Sequence, residues 1–304
     1  MNTMGETKYQ EKMTALGLEE HNLFEIAFSK VQAKTMALSE KYGVDSLLDE
    51  HSILLRNLKR MTGLMSSVYQ LYTTNQDRAA MMVLTRSVID INAMLYFLFI
   101  HVQDPEERKL RINLFYLDGL RTRLGLSKEP LKERDENYIS EEEYNAVLVQ
   151  KQETQAADLQ SIANLEKMIQ ASPFAPKMHK NILKYAKWRY CSINKDQAYS
   201  WKDLYRFAAG DNGMANFQQD YLSQYVHGLA LADIQSSTLH ETNPVFCLNL
   251  CCTILNKVDE VILKTWFPDD YDNLEKAFRL QMGAQLWSNL PQETREGYLN
   301  RLKH

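Results

Sequence analysis

Residues 88–102 read VIDINAMLYFLFIHV, the longest apolar stretch of the 304-residue chain. The stretch is 15 residues long and contains Asp90 and Asn92, whereas a membrane-spanning helix needs about 20 predominantly apolar residues. We therefore interpret it as a buried helix and expect no membrane partner. It should be the most buried element of the fold, because it is apolar on most of its sides.

Helical spacing extends outward from this stretch over almost the whole chain. Apolar residues recur at intervals of three and four, and nowhere do they alternate with period two for long. The sequence therefore predicts an all-α fold, a multi-helix bundle. The predicted helices cover residues 19–42, 46–74, 77–102, 105–126, 141–169, 177–191, 201–208, 214–232, 244–266, 273–288 and 292–302.

Local signals mark several helix starts. Asp45 is the expected N-cap of the second helix. Asp104 followed by Pro105 starts the fourth, because proline is favoured at the first helical position. Ser140 and Glu143 have the spacing of a capping box. The helix that they open is long, and we expect it to form an excursion in the middle of the bundle.

Composition excludes several classes of protein. With 45% hydrophobic and 24% charged residues, 11 Gly, 7 Pro and 4 Cys, the chain is not disordered, collagen-like or a disulfide scaffold. Its length suits a single helical domain over residues 1–304, with a charged connector at 127–143. The net charge of −4 argues against a global electrostatic grip on nucleic acid or acidic membrane, although a local patch stays open.

The N-terminus and the cysteines indicate a compartment. Residues 1–17 are polar and lack the apolar core of a signal peptide. Cys247, Cys251 and Cys252 fall on one predicted helix, where a disulfide would constrain little, and we expect them to be small buried residues. Reduced thiols are typical of the cytosol, so the sequence predicts a cytoplasmic protein.

Familiar enzyme motifs are absent from the sequence. It contains no Gly-rich phosphate loop and no Gly-x-Ser-x-Gly nucleophile elbow. None of the seven histidines has an acidic residue three positions before it, as the di-iron sites of helical bundles require. His-Glu-x-x-His and Cys-x-x-Cys are also missing. We predict no metal site and no cofactor.

Two helical segments carry polar residues where a core would exclude them. In residues 85–90, Arg86 and Asp90 are four apart and can pair on one helix face. In residues 221–228, Ser223 and His227 also share a face, and a histidine there can titrate near neutral pH. We hypothesise that the two segments line one polar pocket. The alternatives are a buried ion pair that fixes packing and a histidine satisfied at a helix end.

These segments also carry a resemblance to a bacterial all-helical family of unknown function. The likeness covers roughly residues 81–234, and the positions that match are Arg86, Ser87, Asp90, Tyr221, Ser223, Val226 and His227. More loosely, the chain is similar to the HEPN superfamily of helical RNases, toxins and nucleotide-binding modules.

The HEPN resemblance implies a possible activity and an assembly. Active members carry an arginine four to six residues before a histidine, assemble this motif across a dimer and cut RNA without metal. Here the corresponding positions before His227 hold Asp220, Tyr221 and Leu222. The arginine would therefore have to come from another helix, and Arg86 is the candidate. With His227 it would form the catalytic pair, while Ser87, Asp90, Tyr221 and Ser223 would bind the ligand.

A basic stripe is the remaining candidate site. Lys177, Lys180, Lys184 and Lys187 follow helical offsets on the predicted helix 177–191. Such a stripe would suit phosphate binding, and a solvated helix face would use it equally well. We expect the nearby large aromatic residues to form core; they are Trp188, Trp201, Tyr205 and Phe207.

Three functional hypotheses follow. The first is a binding or interaction module with a polar pocket near Arg86 and His227, a homodimer that takes RNA or a nucleotide or serves an unknown protein partner. The second is a metal-independent endoribonuclease of stress response or phage defence, in which His227 handles the proton of the attacking 2′-hydroxyl. The third is a structural scaffold without a pocket.

Overall fold

The structure is a computed structural model that describes residues 20–46, 49–74, 77–128, 134, 138–210, 220–223, 226, 243–289 and 292. Throughout these ranges the regular structure is helical, and no strand longer than an isolated bridge between Tyr190 and Ala198 occurs. The predicted all-α multi-helix fold is therefore confirmed.

The described helices follow the predicted order closely. They are α1 (Glu20–Tyr42), α2 (Glu50–Thr73), α3 (Arg78–Tyr96), α4 (Pro105–Ser127), α5 (Glu141–Gln170), α6 (Lys180–Lys184), α7 (Trp201–Ala209), α8 (Asn243–Lys257), α9 (Lys264–Trp266) and α10 (Pro268–Asn289). Phe97–His101 after α3 and Val258–Leu263 after α8 are π-helical. Most of the residues of the predicted helices 214–232 and 292–302 lie outside the described ranges.

Most predicted helix starts are confirmed, and one is wrong. Asp104 caps α4 with Pro105 in its first turn, and Ser140 forms the complete capping box with Glu143. The N-cap of α2, however, is Asp49, whose carboxylate accepts the Ser52 backbone N–H at 2.7 Å. Asp45 fails as the cap because α2 begins only at Glu50, four residues later than predicted.

Contacts between Cα atoms divide the chain into two compact units. Unit 1 comprises Met1–Leu95 and Gly213–His304, and unit 2 comprises Tyr96–Asn212. The division concerns contacts, and the expectation of a single domain stays a prediction. In unit 1, α1 packs against α2 and α8. In unit 2, α4 packs along α5.

The stretch that opened the sequence analysis is buried, as predicted. Among the described residues, Arg78–His101 is long and apolar enough to cross a membrane, but 61% of its apolar window is buried within the protein. A core helix has the same composition and length, so this finding is weak evidence for a membrane span.

The long helix α5 is fastened to α4 in its C-terminal half. Arg123 pairs with the buried Asp158, and Arg121 pairs with Glu166 at 2.7 Å. The first two turns of α5 are largely exposed. The middle excursion is thus anchored at one end by ion pairs and buried apolar residues, among them Leu165 and Ile169.

A buried ion network joins three segments of unit 1. Lys34 Nζ on α1 lies 2.6 Å from Asp259 in the π-helical stretch and 2.6 Å from Glu275 on α10. Lys30, one turn earlier, contacts the same two carboxylates at 2.6 and 3.0 Å. The Tyr271 hydroxyl donates to Asp259 at 3.1 Å. Two cations therefore face two anions, which offsets part of the cost of their desolvation.

This network predicts a loss of stability in acid. Burial raises the pKa of Glu275, but hydrogen bonds from Lys34, Lys30 and Arg279 outweigh that effect and lower it to about 2 from the ordinary 4.5. The unfolded chain then binds more protons between these two values, so we expect the melting temperature to fall as the pH drops from 4.5 toward 2.

Melting curves recorded by circular dichroism across that pH range test this prediction. Glu275→Gln should flatten the fall, because the variant has no carboxylate to protonate at that position. Glu260→Gln changes an exposed glutamate of the same unit and should keep the fall of the wild type. Equal pH profiles for wild type and Glu275→Gln would contradict the prediction.

Candidate functional site

Arg86 lies at the centre of the first predicted site, on α3 in unit 1. Its guanidinium forms an ion pair with Asp90, four residues along the same helix, so the predicted pairing is confirmed. Its Nε also donates a hydrogen bond to Ser223 Oγ at 3.2 Å. The Arg86 side chain is 14% exposed and that of Asp90 is 36% exposed. The pair therefore lies at the edge of the core, with the carboxylate toward solvent.

The contact with Ser223 brings together the two segments that the sequence singled out. Residues 220–223 are helical, and the fully buried Leu222 anchors them. Next to it, the Tyr221 ring meets Phe246 of α8 edge-on, with ring centroids 6.0 Å apart. The Ser87 hydroxyl instead donates to the Val83 carbonyl of its own helix at 3.2 Å. Arg86, Asp90 and Ser223 are thus joined directly, while Ser87 is turned toward the helix backbone.

His227 lies outside the described residues. The sequence places it four positions after Ser223, which is one turn along a helix. If the helix of 220–223 continues to this point, His227 occupies the same face as Ser223.

Two thiols lie next to the Arg86 segment and are chemically inert. Cys247 Sγ contacts Met82 Sδ at 3.3 Å, and both side chains are buried. Burial raises the pKa of Cys247 to about 11 and also raises that of Cys251. These two cysteines fit the prediction of small buried residues, whereas Cys252 is only half-buried. Neither of the two buried thiols is a candidate nucleophile, because the reactive form is the thiolate.

The predicted lysine stripe does not lie on one helix. Helix α6 covers only Lys180–Lys184, and Lys177 lies in a preceding 3₁₀ turn. Ala186 has a left-handed backbone with φ of 47°, and the Lys187 N–H donates to the Ile182 carbonyl at 2.9 Å. This is the hydrogen bond of a Schellman C-cap. Alanine at a position that usually holds glycine explains why sequence reasoning extended the helix to residue 191.

The aromatic residues near the lysines are only partly core, so that expectation was wrong in part. Trp188 and Tyr205 are buried as predicted. Trp201 is 38% exposed and Phe207 is half-buried. Rings placed at the surface are available for contact with a partner.

Sequence reasoning missed Arg111, the most strongly engaged cation of unit 2. Its side chain is 4% exposed, and its Nη1 donates to the carbonyls of Trp188 and Tyr190 at 3.0 and 2.9 Å. Its Nη2 donates to Glu107 at 2.7 Å, and the guanidinium carbon lies 3.6 Å from the centre of the Tyr190 ring. The pairing with Glu107 at four residues could have been noticed, but the carbonyls lie 77 and 79 residues away.

A cleft of about 490 Å³ lies between α1 and α2 in unit 1. Its walls are small and polar residues, including Thr35, Ser39, Thr62 and Gly63. None of the predicted site residues lines it. The Arg86 arrangement and this cleft are therefore separate features of the surface.

Metal chemistry finds no support in the described ranges, where no group of three or more His, Cys, Asp or Glu residues could hold an ion. Comparisons with models of protein families, with curated proteins and with solved structures found no match to this chain. The function is therefore argued from the geometry of the chain itself.

Proposed function

We propose that this protein is a binding module that holds a phosphate-bearing ligand, RNA or a nucleotide, at Arg86, Asp90 and Ser223. The hydrogen bond from Arg86 to Ser223 supports the proposal most directly, because it joins residues 137 positions apart that the sequence had singled out independently. A guanidinium suits such a ligand, since its planar fork forms paired hydrogen bonds with phosphate oxygens. Asp90 orients the fork from the same helix.

We further propose that the module works in the bacterial cytoplasm as a homodimer. All four cysteines are free thiols, as is usual in a reducing compartment. The dimer follows from the similarity to HEPN proteins, which assemble their site across two copies. An additional protein partner is compatible with this setting.

Arg86→Lys is the variant that tests the ligand site. It keeps the charge but loses the planar fork, so we expect nucleotide affinity to fall about 10- to 100-fold, the effect of losing a charge-assisted hydrogen bond. The measurement is the rise in melting temperature on adding a panel of ribonucleoside mono- and triphosphates, because a ligand that binds only the folded state stabilises it.

Arg60→Lys supplies the matched control, since Arg60 is exposed on α2 of the same unit. It should keep the ligand-induced rise of the wild type. A wild type that no nucleotide stabilises would rule out nucleotides as the ligand. An equal rise in Arg86→Lys would show that the ligand binds elsewhere.

The second candidate function is a metal-independent endoribonuclease. The contact between Arg86 and Ser223 favours it, because Ser223 precedes His227 by four residues and a helix would bring that histidine near the guanidinium. His227 would take the proton of the 2′-hydroxyl, whose oxygen attacks phosphorus as the 5′-oxygen leaves. Arg86 would stabilise the charge that develops on the phosphate oxygens.

Incubation with total RNA and tRNA in EDTA tests this candidate. Cleavage by the wild type that disappears in His227→Ala would support a ribonuclease, with Arg86 as its second catalytic residue. Intact RNA with both proteins would contradict it for these substrates and leave the binding module.

A further inference from the structure

The most basic part of the chain lies in unit 2. Residues 171–210 contain eight Lys and Arg against two Asp, within a chain whose net charge is −4. Most of these basic side chains are exposed, including Lys177, Lys180 and Lys184. Lys187 is instead paired with Asp196. The segment therefore presents a positive surface on an otherwise acidic protein.

A compact turn structure holds this basic segment. The Tyr199 N–H donates to the Arg189 carbonyl at 2.7 Å, and the Cys191 N–H donates to the Gln197 carbonyl at 2.9 Å. These bonds close a short hairpin that brings Trp201 beside Trp188, with ring centroids 6.1 Å apart. The side chains of the surface are thus carried by hydrogen-bonded backbone.

Two aromatic rings are exposed on this surface, each beside cations. Tyr185 is 54% exposed, and Lys184 Nζ lies 4.8 Å from the centre of its ring. Trp201 has the Arg189 guanidinium carbon 5.3 Å from its ring centre. Tyr185 is three residues from Trp188 in sequence, so at most about 10 Å of chain separates them. Both rings therefore belong to one local surface.

The combination of exposed rings and cations identifies the partner chemistry. A solvated face would account for the lysines, but it needs no large rings beside them. Proteins that bind single strands use this pair of features, since bases stack on aromatic side chains while a positive groove follows the phosphates. A duplex hides its base faces and would gain only the charge interaction.

We propose that unit 2 carries a binding surface for single-stranded nucleic acid. Bases stack on Tyr185 and Trp201, and Lys177, Lys180 and Lys184 contact the phosphates. The surface uses only residues of unit 2, so it stands or falls independently of the Arg86 site. Phosphate and base chemistry are common to RNA and DNA, and both are included in the test.

Fluorescence anisotropy with labelled oligo(U) and oligo(dT) of roughly 16 nucleotides tests the surface. Tyr185→Ala should weaken binding of the single strand about 5- to 100-fold, the effect of removing one stacking ring. Lys184→Ala should weaken it as well and reduce the slope of log affinity against log salt by about 0.7. Preference for oligo(U) over oligo(dT) would identify RNA as the natural strand, and the reverse would identify DNA.

Matched controls come from the same unit. Tyr138→Ala removes another exposed ring and Lys109→Ala another exposed lysine, and neither should change the affinity. A wild type that binds neither oligonucleotide at low salt would overturn the proposal. So would equal affinity for a duplex of the same length, or unchanged binding by Tyr185→Ala with a wild-type melting curve.

Discussion

We expect Lys34→Met to lower the free energy of unfolding by about 3–5 kcal/mol, the cost of breaking a buried ion pair on one side. The Lys34 side chain is 1% exposed, and its ammonium contacts both Asp259 and Glu275 at 2.6 Å. In the variant only Lys30 faces the two carboxylates at close range. Asp259 suffers most, because it is buried and cannot recover water.

Chemical unfolding followed by circular dichroism measures this loss, and two further variants show its origin. Lys41→Met removes an exposed lysine of the same helix that pairs with Asp270, and its midpoint should stay that of the wild type. Lys34→Met combined with Asp259→Asn should recover part of the stability, because a neutral amide needs no cation. A Lys34→Met variant as stable as Lys41→Met would contradict the assignment of a buried network.

Local sequence signals account for the helices that were predicted correctly. The capping box at Ser140 and the start at Asp104 depend on residues three or fewer positions away, so the sequence alone contains them. The pairing of Arg86 with Asp90 is local in the same way. The helix end at Ala186 was missed because its left-handed backbone is held by a buried setting, and no glycine announces it.

Long-range contacts account for what the sequence could not predict. Lys34 looks like an ordinary lysine on an amphipathic helix, and its partner Asp259 is 225 residues away. The contact between Arg86 and Ser223 spans 137 residues, so the sequence could propose that their segments meet but could not derive it. Residue type and spacing fix the chemistry available on each helix, and only packing decides which faces meet.

We expect Arg111→Met to destabilise unit 2 by about 3–5 kcal/mol, because it leaves buried polar groups without their donor. The guanidinium serves two backbone carbonyls and Glu107 at once. Methionine fills a similar volume but donates no hydrogen bond. Arg111→Lys keeps the charge without the fork, so we expect a loss between those of wild type and Arg111→Met.

The same substitution should disturb the proposed nucleic-acid surface from beneath. Arg111 binds the carbonyls of Trp188 and Tyr190, which flank Arg189 at the base of the hairpin. Loosening that backbone frees the rings to move, so oligo(U) affinity should fall together with the unfolding midpoint. Lys109→Met, an exposed change two residues earlier on α4, should alter neither. Unchanged stability in Arg111→Met would show that the carbonyls find other donors, and the hairpin would then owe its rigidity to its own backbone hydrogen bonds.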